Sequence, residues 1–276
     1  MSFDKTIQLY IFDGNPNGRI MCELSNWNGR VYKVSRNDLR EFEKRDDATH
    51  TGIYFLFGRN ENNDTTVYVG EAENIIHRLK DHILDKEYWN DAIAVISKDN
   101  LLNKAHVKYL ENEFYSLAND SARAIIVNKN IPTRSSVSEY DEAMLKEFTE
   151  NTKLLVNTLG YKVFDLVTDD IINEQNTVFY ISAARGANGK GMIVSDGFAV
   201  LKGSVIANTV TPSYPAGTNK KRTQLLESGI INDRFEFTKD YVFTSPSLAA
   251  DIVMGRSANG LTEWKTDSGT MLKDCQ

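Results

Sequence analysis

Gly52-Ile53-Tyr54-Phe55-Leu56-Phe57 and Thr66-Val67-Tyr68-Val69-Gly70 are two short apolar runs separated by the polar segment 58–65. Both are rich in aromatic and β-branched residues and end at glycine, so together they read as a hairpin. A pairing symmetric about Glu61 sets Ile53, Phe55 and Phe57 opposite Val69, Val67 and Thr65 on one face. The same pairing sets Tyr54 directly opposite Tyr68 on the other face. Just downstream, Ala72, Ile75, Ile76, Leu79 and Ile83 recur at helical spacing. Asn74, Arg78 and His82 form a polar stripe beside them. The local pattern alone therefore predicts one surface bearing two phenols, an arginine and a histidine.

Outward from this centre, residues 7–12 and 20–24 flank the turn signal Asp13-Gly14-Asn15-Pro16-Asn17-Gly18 and predict a β-hairpin. The stretch 35–51 is polar and charged. Residues 92–96 read as a buried strand, and Val107, Leu110, Phe114 and Leu117 mark a second helix. Residues 125–127 lead into Asn128, and 132–138 are the most linker-like segment. Met144, Leu145, Phe148, Leu155, Val156 and Leu159 predict a long amphipathic helix stopped by Gly160. From about residue 166, short β-like runs at 178–182, 198–201 and 241–244 alternate with glycine-rich turns. The expected organisation is α+β: an N-terminal β-hairpin region at 1–48, a small domain at 49–134, a helical connector at 135–165 and a C-terminal α+β domain at 166–276.

Composition narrows the function classes. Of 276 residues, 41% are apolar and 25% charged, which is globular usage. Lys and Arg number 32 against 38 Asp and Glu, a net charge of −6. This argues against attachment to nucleic acid by bulk charge and leaves room for a local basic groove. No apolar run is long enough to cross a bilayer, and residues 1–12 lack the pattern of a secretion signal. Cys22 and Cys275 form neither a CxxC pair nor a zinc spacing. These features predict a cytoplasmic protein with no membrane partner.

Gly52-Ile53-Tyr54, Tyr68-Val69-Gly70, Asn74 and Arg78 on a helix, Leu110-Glu111 on a later helix and Asn128 after a strand occur in the order and spacing of the GIY-YIG nucleases. Residues 50–130 resemble the β-β-α-β-α core of that family. Valine replaces isoleucine in the second motif, and Glu71 stands where some members carry a lysine. The resemblance implies endonucleolytic hydrolysis of DNA phosphodiesters with one Mg²⁺ or Mn²⁺ ion. It assigns the metal to Glu111 rather than Glu113. Tyr54 becomes the general base or the group that orients water, with Tyr68 close by. Arg78 stabilises the transition state, His82 assists proton movement or touches phosphate, and Asn128 fixes the geometry. The alternative is a catalytically silent nucleic-acid-binding protein that kept the fold.

The second half carries Arg185-Gly186-Ala187-Asn188, the segment 197–204, Ser245-Pro246-Ser247-Leu248-Ala249-Ala250, Asn259-Gly260 and Trp264. These resemble an uncharacterised C-terminal domain often fused to GIY-YIG nucleases, which implies DNA engagement. The segment 186–191 lacks the spacing of a phosphate loop and reads as a glycine-rich turn. Ser247 is placed as the cap of a helix ended by Gly255. Candidate phosphate contacts are Lys80 and Lys86 beside the first helix, Arg185 and Lys190 on one loop, and Lys220, Lys221 and Arg222 on another.

Overall fold

The run from Gly52 to Phe57 is buried at every position, so the strand that contains it needs a packed layer on each face. The computed structural model, which describes residues 4–61, 63–85, 88–166 and 177–275, supplies both. Lys86 lies outside the described residues. The chain divides into two compact units, residues 1–119 with 123–165 and residues 120–122 with 166–276.

The first unit is built on a mixed seven-stranded sheet. Its strands are β1 (Ile7–Ile11), β2 (Ile20–Leu24), β3 (Gly29–Ser35), β4 (Gly52–Arg59), β5 (Thr65–Ala72), β6 (Trp89–Ser97) and β7 (Ile125–Ile126). Their order across the sheet is β1-β2-β3-β6-β4-β5-β7. Tyr54 and Leu56 face α1 (Leu39–Phe42) and α2 (Ile75–Asp85) in one apolar cluster. Ile53, Phe55 and Phe57 face α3 (Lys104–Ser121) and α4 (Glu139–Thr158) in another. The alternating side chains of β4 thus feed two cores.

Three expectations change. Residues 1–48 are not a region apart: β3 pairs with β6 from Gly29↔Ser97 to Ser35↔Asp91 and draws β1 and β2 into the central sheet. Strand β3 is interrupted in sequence by charge, but Arg30 is neutralised by Glu23 at 2.6 Å and Asp47 at 2.5 Å. Residues 135–165 are not a connector. Leu145, Phe148, Leu155 and Val156 of α4 are part of the first core, and Tyr161 stacks on Phe57 at 4.1 Å. Finally, β4 and β5 pair Tyr54↔Gly70 and Leu56↔Tyr68, two residues away from the register symmetric about Glu61. The loop decides this. Asn60 and Asp64 close it, with Asn60 N–H donating to Asp64 O and Asp64 N–H donating to Asn60 Oδ1, and Asn63 takes the left-handed conformation. A two-residue slip keeps every side chain on its face, so both tyrosines still share one side, diagonally rather than directly opposed.

The second unit holds an antiparallel sheet of β8 (Phe179–Ser182), β9 (Asn188–Val194), β10 (Gly197–Val200) and β11 (Tyr241–Phe243), ordered β11-β10-β9-β8. With it come α5 (Ala216–Glu227), α6 (Pro246–Met254) and α7 (Gly260–Glu263). Trp264 is fully buried against Phe198 at 4.6 Å, and its indole donates to Pro246 O. The cap of α6 is Ser245, which accepts from Leu248 N–H, while Ser247 instead accepts from Gly260 N–H. Of the segment 186–191, only the start is a turn, with φ of 62° at Arg185 and 81° at Gly186, and Asn188 onward is strand. No helix among the described residues is long and apolar enough to cross a membrane.

Candidate functional site

The site forms where the sheet stops pairing. Strand β7 bonds only to Thr66 and Val67, so the rest of β5 lies at an edge. Helix α2 covers one face there and α3 the other, and their side chains meet around that edge. A cleft of about 360 Å³ results, lined by Tyr54, Tyr68, Glu71, Arg78, Lys104 and Glu111, with Asn74 and His77 at α2.

Each lining residue has a local cause. Asn74 caps α2, its Oδ1 accepting from His77 N–H at 3.1 Å, and so starts the helix that carries Arg78 and His82. Tyr54 and Tyr68 stand with ring centroids 6.1 Å apart. Behind them His82 is 2% exposed, with Nε2 2.7 Å from the Tyr54 hydroxyl. Burial drives the Tyr54 phenol well above its ordinary pKa, the neighbouring Tyr68 adds to the shift, and the Arg78 guanidinium opposes it. Tyr54 is therefore a protonated phenol at rest. Desolvation outweighs the pull of the cation.

Glu111 enters from α3. Burial, then the nearby Glu71 carboxylate, push its pKa up to about 7, against the opposing pull of Lys104, Lys108 and Arg78. Glu113 faces elsewhere, toward Arg134 at 3.9 Å. Lys104 was missed in the sequence. It lies two helical turns before Glu111, on the same side of α3, and that spacing was the available signal. Its Nζ stands 2.8 Å from Glu71 Oε1 and 3.6 Å from Glu73 Oε2, so the cleft contains a lysine supplied by a helix, paired to the acid in β5.

Asn128 does not line the cleft. Its Oδ1 accepts from Val69 N–H at 3.0 Å and its Nδ2 donates to Val69 O at 2.7 Å. One side chain thus replaces a missing strand partner between Tyr68 and Gly70.

Among the described residues no group of three or more His, Cys, Asp or Glu is arranged to hold a metal. A cage is excluded there. A half-buried carboxylate with a raised pKa, beside cationic and phenolic donors suited to phosphate, does fit a hard cation held by one carboxylate, water and substrate.

The basic residues fare unevenly. Lys80 is ion-paired to Glu43, outside the cleft. Lys220, Lys221 and Arg222 sit within α5 and not on a loop. Arg222 is 4% exposed and donates to Ile252 O and Ala207 O, so it cannot reach a phosphate. Lys221 lies over the Tyr241 ring. Arg185 donates to Met254 O at 2.8 Å. Lys190 and Lys220 are exposed.

The family described as a domain of unknown function, DUF4357, matches residues 179–276. That span is most of the second unit, and it agrees with the resemblance of the C-terminal half to an uncharacterised domain. No curated protein and no solved structure matches the chain.

Proposed function

We propose that the first unit is a metal-dependent endonuclease that hydrolyses DNA phosphodiesters, with the chemistry of the GIY-YIG nucleases its motifs resemble. The observation that carries this reading is the convergence of Tyr54, Tyr68, Arg78 and Glu111 on one cleft, with His82 bonded to the back of Tyr54.

In this reading Tyr54 acts as a relay. Its oxygen accepts a proton from the attacking water as its own proton passes to His82 Nε2, 2.7 Å away. A phenol held neutral by burial cannot act alone as base, whereas imidazole is the base suited to neutral pH. Arg78, which lines the same cleft, would turn its fork to the non-bridging oxygens of the phosphate and neutralise charge that grows in the transition state. Tyr68 donates to the same phosphate. Glu111 would hold Mg²⁺ or Mn²⁺, which supplies Lewis-acid stabilisation of the phosphate and leaving oxygen. The second unit contributes DNA contacts through Lys190 and Lys220, with Arg185 and Arg222 withdrawn into its own structure.

The test is nicking of supercoiled plasmid, then cleavage of single-stranded, duplex, branched and modified DNA, with Mn²⁺, Mg²⁺ or chelator. Metal-dependent cleavage lost in Glu111→Gln and Tyr54→Phe supports the proposal. DNA binding without cleavage under every metal favours the catalytically silent alternative.

A further inference from the structure

The lysines of the first unit are almost all engaged within it. Among those described, Lys44, Lys80, Lys98, Lys104, Lys146 and Lys153 are ion-paired. Lys5 donates to Asn151, Lys33 lies over the Tyr161 ring, and Lys162 also has a partner. Among the described residues of this unit, Lys108 and Lys129 are the lysines left without hydrogen bond, ion pair or ring contact, and both are exposed.

Two separate elements bring this pair to one place. Lys104, Lys108 and Glu111 recur at i, i+4 and i+7, so they form one stripe of α3. The charge of Lys108 is felt by the Glu111 carboxyl. Lys129 comes from the other side. It follows Asn128, whose amide is held on Val69 N–H and O. Three residues on, Pro132 O accepts from Asn112 Nδ2 at 2.8 Å, next to Glu111. The backbone from 128 to 132 thus bridges the edge of β5 and α3 beside the cleft, and Lys129 is exposed on that bridge.

The cations inside the cleft already face acids, Arg78 at 3.8 Å from Asp81 and Lys104 at 2.8 Å from Glu71. Lys108 and Lys129 flank the opening and are not part of its walls. In a chain of net charge −6, two cations unanswered at one mouth make a local positive rim that attracts a polyanion. A charge outside the cleft meets not the phosphate within it but the next ones along a strand. Lysine, a point charge on a flexible stem, suits such contacts, which position a backbone and read no base.

We infer that Lys108 and Lys129 bind the backbone phosphates on either side of the one held in the cleft, so that α3 and the segment after β7 lead a DNA strand across the site. The inference rests on the nuclease reading for the phosphate in the cleft and extends it to the path of the strand.

Fluorescence anisotropy of the full chain with a labelled DNA duplex, in chelator so that nothing is cut, reads these contacts through the salt dependence of Kd. Each phosphate contact adds about 0.9 to the slope of log affinity against log salt. Lys108→Gln and Lys129→Gln each flatten the slope by about one, and the pair by about two, while Lys108→Arg and Lys129→Arg preserve it. Arg40→Gln is the control, because Arg40 is an exposed cation on α1, equally without an ion pair and outside the cleft. Its slope stays that of the native chain. An unchanged slope in the double lysine variant overturns the inference. So does equal flattening by Arg40→Gln, which would mean bulk charge, or a native chain that does not bind DNA. Plasmid cleavage with Mn²⁺, measured in parallel, separates the two readings. A native chain that binds through these lysines and never cuts leaves the path standing and refutes the nuclease.

Discussion

The ring of Tyr54 occupies the space where Gly70 would carry a side chain: a Cβ there would stand 2.3 Å from the phenol carbon and from its oxygen. This explains the glycine that ends the second motif, and it couples the two motifs sterically across the hairpin. Gly70→Ala must move a buried tyrosine away from His82. The expected cost is about 1–3 kcal/mol of stability by urea denaturation, with loss of cleavage. In a Tyr54→Ala background the same change costs little, and equal costs in both backgrounds would refute the coupling.

Arg78→Lys is expected to be nearly as damaging as Arg78→Ala. A planar fork held beside two phenols and, in the proposed reaction, against a phosphate is not replaced by a mobile point charge, and the loss is roughly 3 kcal/mol of barrier. Single-turnover cleavage reads it. A lysine variant within a few-fold of wild type in rate would remove Arg78 from the transition state.

Glu111 predicts a pH dependence of metal binding. Its folded pKa of about 7 exceeds the ordinary 4.5, so the metal-free fold loses this carboxyl's contribution as pH rises from 4.5 through 7. Metal binding has the opposite sign, because the cation needs the carboxylate. At pH 6 the Mn²⁺ affinity should be about tenfold below its plateau, with a proton released on binding, as calorimetry can measure. Glu71→Gln removes a like charge and should move the profile to lower pH. An unchanged profile would mean that Glu71 does not act on Glu111.

In the second unit, Arg222→Ala strands two buried carbonyls and is expected to cost about 1–3 kcal/mol, whereas Lys220→Ala should lie within about 0.5 kcal/mol of wild type. Thermal denaturation distinguishes them. The consequence for binding experiments is direct: replacing Lys220, Lys221 and Arg222 together would test folding as much as DNA contact. Lys190→Ala with Lys220→Ala is the informative pair, with a flatter salt slope as the readout.

What could be read from sequence was whatever depends on spacing within one element. The faces of β4 and β5, the stripe of Arg78 and His82 on α2, and the helix through Val107, Leu110, Phe114 and Leu117 follow from local periods of two or 3.6 residues, whereas Glu111 on that helix was singled out by the resemblance alone. What could not be read depends on groups brought together by topology. Strand β3 was hidden by Arg30 and Lys33, whose charges cease to signal solvent once Glu23 and Asp47 answer Arg30. The register of β4 against β5 was set by side chains in the loop and not by the strands. Lys104 became visible as part of the cleft only when α3 was folded against the edge of β5. Arg222 looked like a surface cation because a basic run gives no sign of the carbonyls that wait for one of its members.

Asn128 makes this site vulnerable to a lesion that touches none of the reacting groups. Its amide presents a donor and an acceptor to Val69, as a neighbouring strand would. Conversion of that amide to acid, by mutation or by slow deamidation as the protein ages, would keep the acceptor and set a second oxygen against the Val69 carbonyl. The segment from Tyr68 to Gly70 would then lose its anchor, and the chemical age of one asparagine would be written into the alignment of the two tyrosines.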